Sequence, residues 1–280
     1  MRFIQILSIF FASLFASFGL FGINRVHAAS VNEKSLNIRY KDIKLVGHLY
    51  VPEHHEEQMP AVILSHGLGG DYTQMEPYAK ALAKQGYLTY AYDFAGGSSN
   101  SASTGRNTRQ MSVFTEEEDL TAVLNNIRQR SDVDASKVSL VGASQGGLVS
   151  ALTASQHQRE VHSLGLLYPA FSAGDEAQSR YSSINEVPQS VNLYGTEVGR
   201  PYYRRLLKTN VMNLATRYNG PTIIIHGSAD RIVPVRYARQ AAQKFPHAQL
   251  EIIKGANHDF PGSAEGKSIR MLDRFFEQHQ

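Results

Sequence analysis

The sequence predicts an α/β domain on a mostly parallel sheet, and three observations carry that prediction. Apolar runs such as Ala61-Val-Ile-Leu64 and residues 87–92 mark strands buried on both faces. Helix-like stretches alternate with these runs along the chain, the rhythm of right-handed βαβ crossovers. Gly142-Ala-Ser-Gln-Gly146 stands between the strand-like Val138-Ser-Leu-Val141 and a helix-like stretch over 148–155. Strand, sharp turn and helix is the setting in which a Gly-x-Ser-x-Gly serine is held exposed.

Taken in order, residues 36–51 alternate apolar and polar and predict one or two antiparallel strands, ended by Pro52. The polar stretch 54–58 reads as a solvated loop. A buried strand is expected at 61–64, a helix at 72–85 stopped by Gly86, and a strand at 87–92. Residues 113–130 predict a helix, with Thr115 and Glu118 as its capping pair. Glu116, Glu117, Glu118 and Asp119 there favour the positive end of the helix dipole. Strands follow at 138–141, 163–168 and 222–225, a helix at 236–245, a strand at 249–253 and a last amphipathic helix at 263–279. The interval 173–218 breaks the rhythm. It carries scattered tyrosines and turn residues, is too long for a plain loop, and reads as a cap inserted over one end of the sheet.

Composition narrows the function classes. The 280 residues carry 28 basic and 25 acidic side chains and no cysteine. Disulfides, thiolate metal sites and cysteine nucleophiles are therefore excluded. Residues 1–28 are a separate segment: Met1-Arg2, an apolar stretch over 3–23, then Val26-His-Ala28. This predicts an export signal cleaved after Ala28, with an uncleaved membrane anchor as the alternative. Without Arg2 and Arg25 the basic count falls from 28 to 26 against 25 acidic residues. No concentrated positive charge remains for nucleic acid. An exported protein acting on a small molecule is expected.

The chemistry gathers on loops at one end of the predicted sheet. Ser144 needs a general base, and His258 follows the last predicted strand, where such loops meet ligands. Asp230, in His226-Gly-Ser-Ala-Asp230, comes between serine and histidine in sequence and is the candidate orienting acid, with Asp175 as a weaker alternative. An oxyanion needs two N–H donors. Gln145 supplies one by following the serine. The loop Ser65-His-Gly-Leu-Gly-Gly70 supplies the other through Leu68, with Gly67 as the neighbouring possibility. His66 and His226 read as loop-shaping residues, and Asp93 as a turn aspartate bonding backbone N–H groups. The polar loop up to Met111 reads equally as a pocket wall or as plain surface.

This set resembles the α/β-hydrolase superfamily over nearly all of 36–280. Within it the chain is most similar to bacterial cinnamoyl (feruloyl) esterases and their serine-aminopeptidase-like relatives. The similarity rests on Gly142-Ala-Ser-Gln-Gly-Gly147, Leu166-Leu-Tyr-Pro-Ala170, His226-Gly-Ser-Ala-Asp-Arg-Ile-Val-Pro-Val235 and the short cap. Gly96-Gly97-Ser98 departs from the Gly-His-Gly of many members. The resemblance implies a Ser144–His258–Asp230 triad, an oxyanion hole at Leu68 and Gln145, and no cofactor or metal. It also implies a carboxylic ester as substrate, and the tyrosines of the cap suit an aromatic acyl group. A peptidase acting on short peptides through the same triad is the alternative, with Asp175, Glu176, Glu186 and Glu197 available for an α-amino group. A non-catalytic binding protein on the same scaffold is the third reading.

Overall fold

The structure, a computed structural model, describes residues 30–279. The expected export signal or anchor at 1–28 lies outside the described residues. The described residues open with a long hairpin, β1 (Val31–Tyr40) and β2 (Ile43–Pro52), in which Val31 faces Pro52 and Tyr40 faces Ile43. Then follow β3 (Met59–Ser65), a 3-10 turn at Tyr72–Gln74, α1 (Glu76–Lys84), β4 (Leu88–Tyr92), α2 (Val113–Arg128), β5 (Val133–Ala143), α3 (Gln145–Gln156) and β6 (Leu164–Leu167). After the cap come β9 (Thr222–Gly227), α7 (Arg236–Lys244), β10 (Ala248–Ile253) and α8 (Ser263–Gln278).

Eight strands form one sheet in the order β1-β2-β4-β3-β5-β6-β9-β10. The pairings within β1, β2 and β4 are antiparallel, and those from β4 through β10 are parallel. The period of two along each strand sorts side chains onto two cores. Ala61 and Ile63 of β3 join Val138 and Leu140 of β5 on the face covered by α2, α3 and α7. Val62 and Leu64 point the other way, to Tyr78, Leu82, Phe275 and Phe276 of α1 and α8. These apolar side chains are buried completely or nearly so, and each valine, leucine, isoleucine and phenylalanine among them contributes roughly 1.5–3 kcal/mol relative to exposure. This two-sided burial explains why the central strands read as unbroken apolar runs.

Two expectations for helices change. The one at 72–85 begins as the 3-10 turn, and its α-helical part starts at Glu76 with Pro77 in the first turn. The cap of α2 lies one turn earlier than Thr115–Glu118. Ser112 Oγ accepts from the Thr115 N–H, and Thr115 Oγ1 accepts from the Ser112 N–H. Of the acidic residues near its start, Glu116, Glu117 and Asp119 are all buried.

The segment between β6 and β9 folds as α4 (Ala173–Arg180), a separate hairpin of β7 (Ser190–Leu193) and β8 (Thr196–Gly199), α5 (Arg200–Leu206) and α6 (Val211–Ala215). It rests on α3 through α6. It also meets the loop after β3, where Thr196 leaves no room for a Cβ on Gly69. Among the described residues no helix is long and apolar enough to cross a membrane.

Candidate active site

Ser144 sits between the end of β5 and the start of α3 with φ 51° and ψ −117°. A non-glycine residue in such a conformation costs on the order of 1–3 kcal/mol and persists only where its surroundings impose it. Here they do. The Ser144 N–H donates to Leu167 O (2.9 Å), and Ser144 O accepts from Leu148 N (3.2 Å) and Ala170 N (2.8 Å). The flanking glycines are steric necessities. A Cβ on Gly142 would lie 2.2 Å from Gly146 O, and one on Gly146 would lie 2.3 Å from His66 O.

The structure brings together the three residues singled out from the sequence. Ser144 Oγ lies 3.0 Å from His258 Nε2, and His258 Nδ1 lies 2.7 Å from Asp230 Oδ2. A carboxylate only accepts, so Nδ1 carries the hydrogen and Nε2 is the free base facing the serine hydroxyl. His258 comes from the loop after β10 and is held edge-on by the Tyr168 ring, with centroids 4.7 Å apart. Tyr168 in turn packs at right angles on Phe260.

Asp230 follows β9, and its side chain is fully shielded from solvent. Its Oδ1 accepts from the N–H groups of Ile232 and Val233, both at 2.9 Å. Burial by itself would raise the Asp230 carboxyl. Hydrogen bonds from His226, His258 and the Val233 N–H outweigh it and hold the group well below the usual carboxylate range. Asp175, the weaker alternative, accepts from the Tyr237 hydroxyl instead (3.0 Å).

The N–H groups of Leu68 and Gln145 have no acceptor among the described residues. Gly67, the other possibility in the first loop, donates its N–H to Gln74 Oε1 at 2.7 Å and so is committed elsewhere. His66 accepts from the Phe94 N–H at Nε2 (3.1 Å) and donates from Nδ1 to Gly67 O (2.7 Å). Burial lowers its pKa below the usual value, as suits a neutral ring shaping the loop. Asp93 accepts from the N–H groups of Tyr72 (2.9 Å) and Ala102 (2.8 Å), the turn role its position predicts.

Leu68, Ser144 and Gln145 line a pocket of about 490 Å³, its open mouth included. The walls are mostly apolar, with Ala170, Ala173, Ala177 and Leu193 among them, and Tyr194, Tyr202 and Tyr203 come from the cap. Of the four carboxylates considered for an α-amino group, Glu176 alone lines this pocket. It is already engaged by Arg180 (2.6 Å) and by the Tyr194 hydroxyl (2.9 Å). The loop before Met111 lines none of the pocket. It returns to the sheet, where Ser103 Oγ donates to Asp93 O and accepts from the Val46 N–H.

Sequence reasoning missed two neighbours of the site. Glu116 Oε2 accepts from Gln145 Nε2 (2.8 Å), while Gln145 Oε1 accepts from the Tyr202 hydroxyl of the cap (2.8 Å). Burial pushes the Glu116 carboxyl up to about 8. His226 reaches Asp230, with Nε2 3.2 Å from Oδ2. Its spacing of four residues from Asp230, across a Gly-Ser turn, was the available signal.

Comparison with known proteins agrees with this architecture. The family model for serine aminopeptidases (S33) matches residues 56–192, and that for the alpha/beta hydrolase fold matches 188–262. Est1E from Butyrivibrio proteoclasticus, solved with ferulic acid bound, superposes with a TM-score of 0.80 at 21% identity, over 87% of this chain and 98% of that one. The dienelactone hydrolase of Anabaena variabilis ATCC 29413 superposes with a TM-score of 0.64 at 18% identity, over 89% and 98%. The protein therefore has the α/β-hydrolase fold. In sequence it is also similar to the uncharacterized protein YcjY of Escherichia coli (strain K12), 33% identical over 121 residues. That match spans 42% of this chain and only 38% of the length of that relative.

Proposed function

We propose that the protein is a serine hydrolase that cleaves carboxylic esters through an acyl-enzyme at Ser144. The observation that carries this reading is the unbroken hydrogen-bonded line from Ser144 Oγ through His258 to Asp230, beside a pocket lined by Leu68 and Gln145, whose N–H groups are unclaimed. Ser144 Oγ attacks the ester carbonyl while His258 Nε2 takes its proton, and Asp230 stabilises the imidazolium. The N–H groups of Leu68 and Gln145 bind the oxyanion. His258 then returns the proton to the departing alcohol, and water admitted in its place releases the acid by the same route.

An aromatic or similarly flat apolar acyl group suits the walls. Three tyrosines of the cap line the pocket, and a related fold holds ferulic acid. The serine-aminopeptidase family model supports the peptidase reading. It is the weaker one, because Glu176 already shares its charge with Arg180 and accepts from Tyr194 at the same oxygen. Turnover of p-nitrophenyl esters, compared with aminoacyl p-nitroanilides, separates the two. Ester hydrolysis is expected to disappear in Ser144→Ala, and activity that survives that change overturns the proposal. Export follows from the sequence of residues 1–28, and the N-terminal residue of protein recovered outside the cytoplasm tests cleavage after Ala28.

A further inference from the structure

His226 occupies β9 with its ring completely shielded from solvent. Its Nε2 lies 2.8 Å from Val233 O and 3.2 Å from Asp230 Oδ2. Both neighbours are acceptors, so Nε2 carries the hydrogen: it donates to Val233 O and faces the Asp230 carboxylate at ion-pair distance. The other nitrogen, Nδ1, is buried without a partner. In this tautomer it exposes only a lone pair to the apolar interior, a lesser loss than an unpaired N–H.

The surroundings leave the Asp230 carboxylate little freedom. Two backbone N–H groups hold Oδ1, so Oδ2 is the oxygen that meets both imidazoles. Gly227, next after His226, lets the loop carrying His258 close onto the end of β9, since a Cβ there would lie 2.3 Å from Ala256 O. The titratable groups that bear on the carboxylate are His226 on β9, His258 on the loop after β10 and Tyr168 at the end of β6, which Asp259 also influences.

We propose that His226 is a positioning residue that acts through Asp230, its Nε2–H fixing Oδ2 toward His258 Nδ1 and taking a share of the carboxylate charge. This role rests on the reading of Ser144, His258 and Asp230 as a catalytic triad. It gives the buried ring a function beyond filling space. By sharing the charge, His226 tempers how firmly Asp230 holds the His258 imidazolium, so that the proton can be passed on to the leaving alcohol.

Three substitutions test it. In glutamine, Nε2 stands as many bonds from Cβ as histidine Nε2, so His226→Gln keeps a donor to Asp230. His226→Phe keeps the ring and loses the donor. His226→Asn places its amide where Nδ1 was, out of reach of Asp230, and serves if the phenylalanine variant does not fold. Each is measured for kcat and KM on p-nitrophenyl acetate across pH, for the pH dependence of labelling by a fluorophosphonate, and for its thermal midpoint.

Loss of the donor is expected to lower kcat about tenfold, the scale of one charge-assisted hydrogen bond, with KM nearly unchanged. It also leaves more charge on Asp230, which stabilises the protonated base. The acid limb of the pH profile therefore moves upward. His226→Gln is expected to recover most of the rate and the wild-type limb. A purely structural role would lower the thermal midpoint without moving the limb, and glutamine would do no better than phenylalanine. If the wild type reacts normally and the folded variants show that pattern, the positioning role alone falls. If the wild type is itself inert to ester and probe, the triad reading falls and takes this role with it.

Discussion

Replacing Gly146 with alanine would set a methyl carbon 2.3 Å from His66 O and 2.4 Å from Ser65 O. That is about 1 Å short of ordinary van der Waals separation. Neither obstacle is a flexible side-chain end, since both are backbone at the end of β3. The strain has two exits. Either α3 lifts away from β3, or the loop carrying Leu68 shifts against the serine. Overpacking that moves backbone costs roughly 1–3 kcal/mol and at times more. At about 2–4 °C per kcal/mol for a chain of this size, a loss of about 3 kcal/mol lowers the thermal midpoint by roughly 6–12 °C. A displacement near 1 Å between Leu68 and Ser144 also lowers kcat/KM about 100-fold. Circular dichroism melts and p-nitrophenyl acetate hydrolysis read the two effects separately. Gly266→Ala in α8 is the control, because its nearest obstacle is the tip of Arg270 at 3.4 Å. It should gain about 0.5–1 kcal/mol with activity unchanged. A Gly146→Ala protein that melts with the wild type and hydrolyses ester at its rate would refute the steric reasoning.

Other consequences are as open to measurement. Arg106→Met strips the guanidinium from Asp119, which is fully buried and 3.0 Å away. Urea unfolding should show a loss of about 3–5 kcal/mol, and an unchanged midpoint would contradict the pairing. Burial keeps Glu116 protonated in the native state up to about pH 8, whereas the unfolded chain releases that proton near its ordinary 4.5. Native protein therefore binds the extra proton between these values, and stability falls as pH rises through that window, by at most about 1.4 kcal/mol per unit. Glu116→Gln should flatten the decline in urea titrations run from pH 5 to 8, and an identical slope would count against it. Tyr194→Ala, at the exposed tip of the β7–β8 hairpin, should raise KM for aromatic acyl esters severalfold while kcat and the melting midpoint hold. An unchanged KM would remove Tyr194 from substrate contact.

What the sequence made legible has a physical pattern. The central strands stand out because burial on both faces erases the polar alternation. Ser144, His258 and Asp230 stand out because their order along the chain and their places after successive strands match a chemical requirement. The helix start at Val113 is legible, but its cap is placed one turn late because Ser112-Val-Phe-Thr115 and Thr115-Glu-Glu-Glu118 carry the same capping spacing, and only packing selects between them. The burial of Glu116, Glu117 and Asp119 is not legible in the sequence because their partners lie elsewhere in the chain. Arg106, Tyr40 and the Ala95 N–H satisfy Asp119, and Gln145 meets Glu116. The elements within 173–218 were illegible for a related reason. Its short strands pair only with each other, and its helices are too brief to show a period.

The opening hairpin has a practical consequence. Val31 is paired with Pro52, and Gly47 further along β2 with Tyr92. Ser30, whose carbonyl accepts from the Glu53 N–H, therefore lies at the end of the sheet where the parallel strands begin. His279 is there too, its carbonyl bonded by His162 just ahead of β6 (2.8 Å). Ser144, Asp230 and His258 follow the far ends of β5, β9 and β10. A tether joined directly ahead of Ser30 or after His279 would hold the molecule by its base and leave the pocket facing outward, so immobilisation on a support through such a tag should cost little turnover.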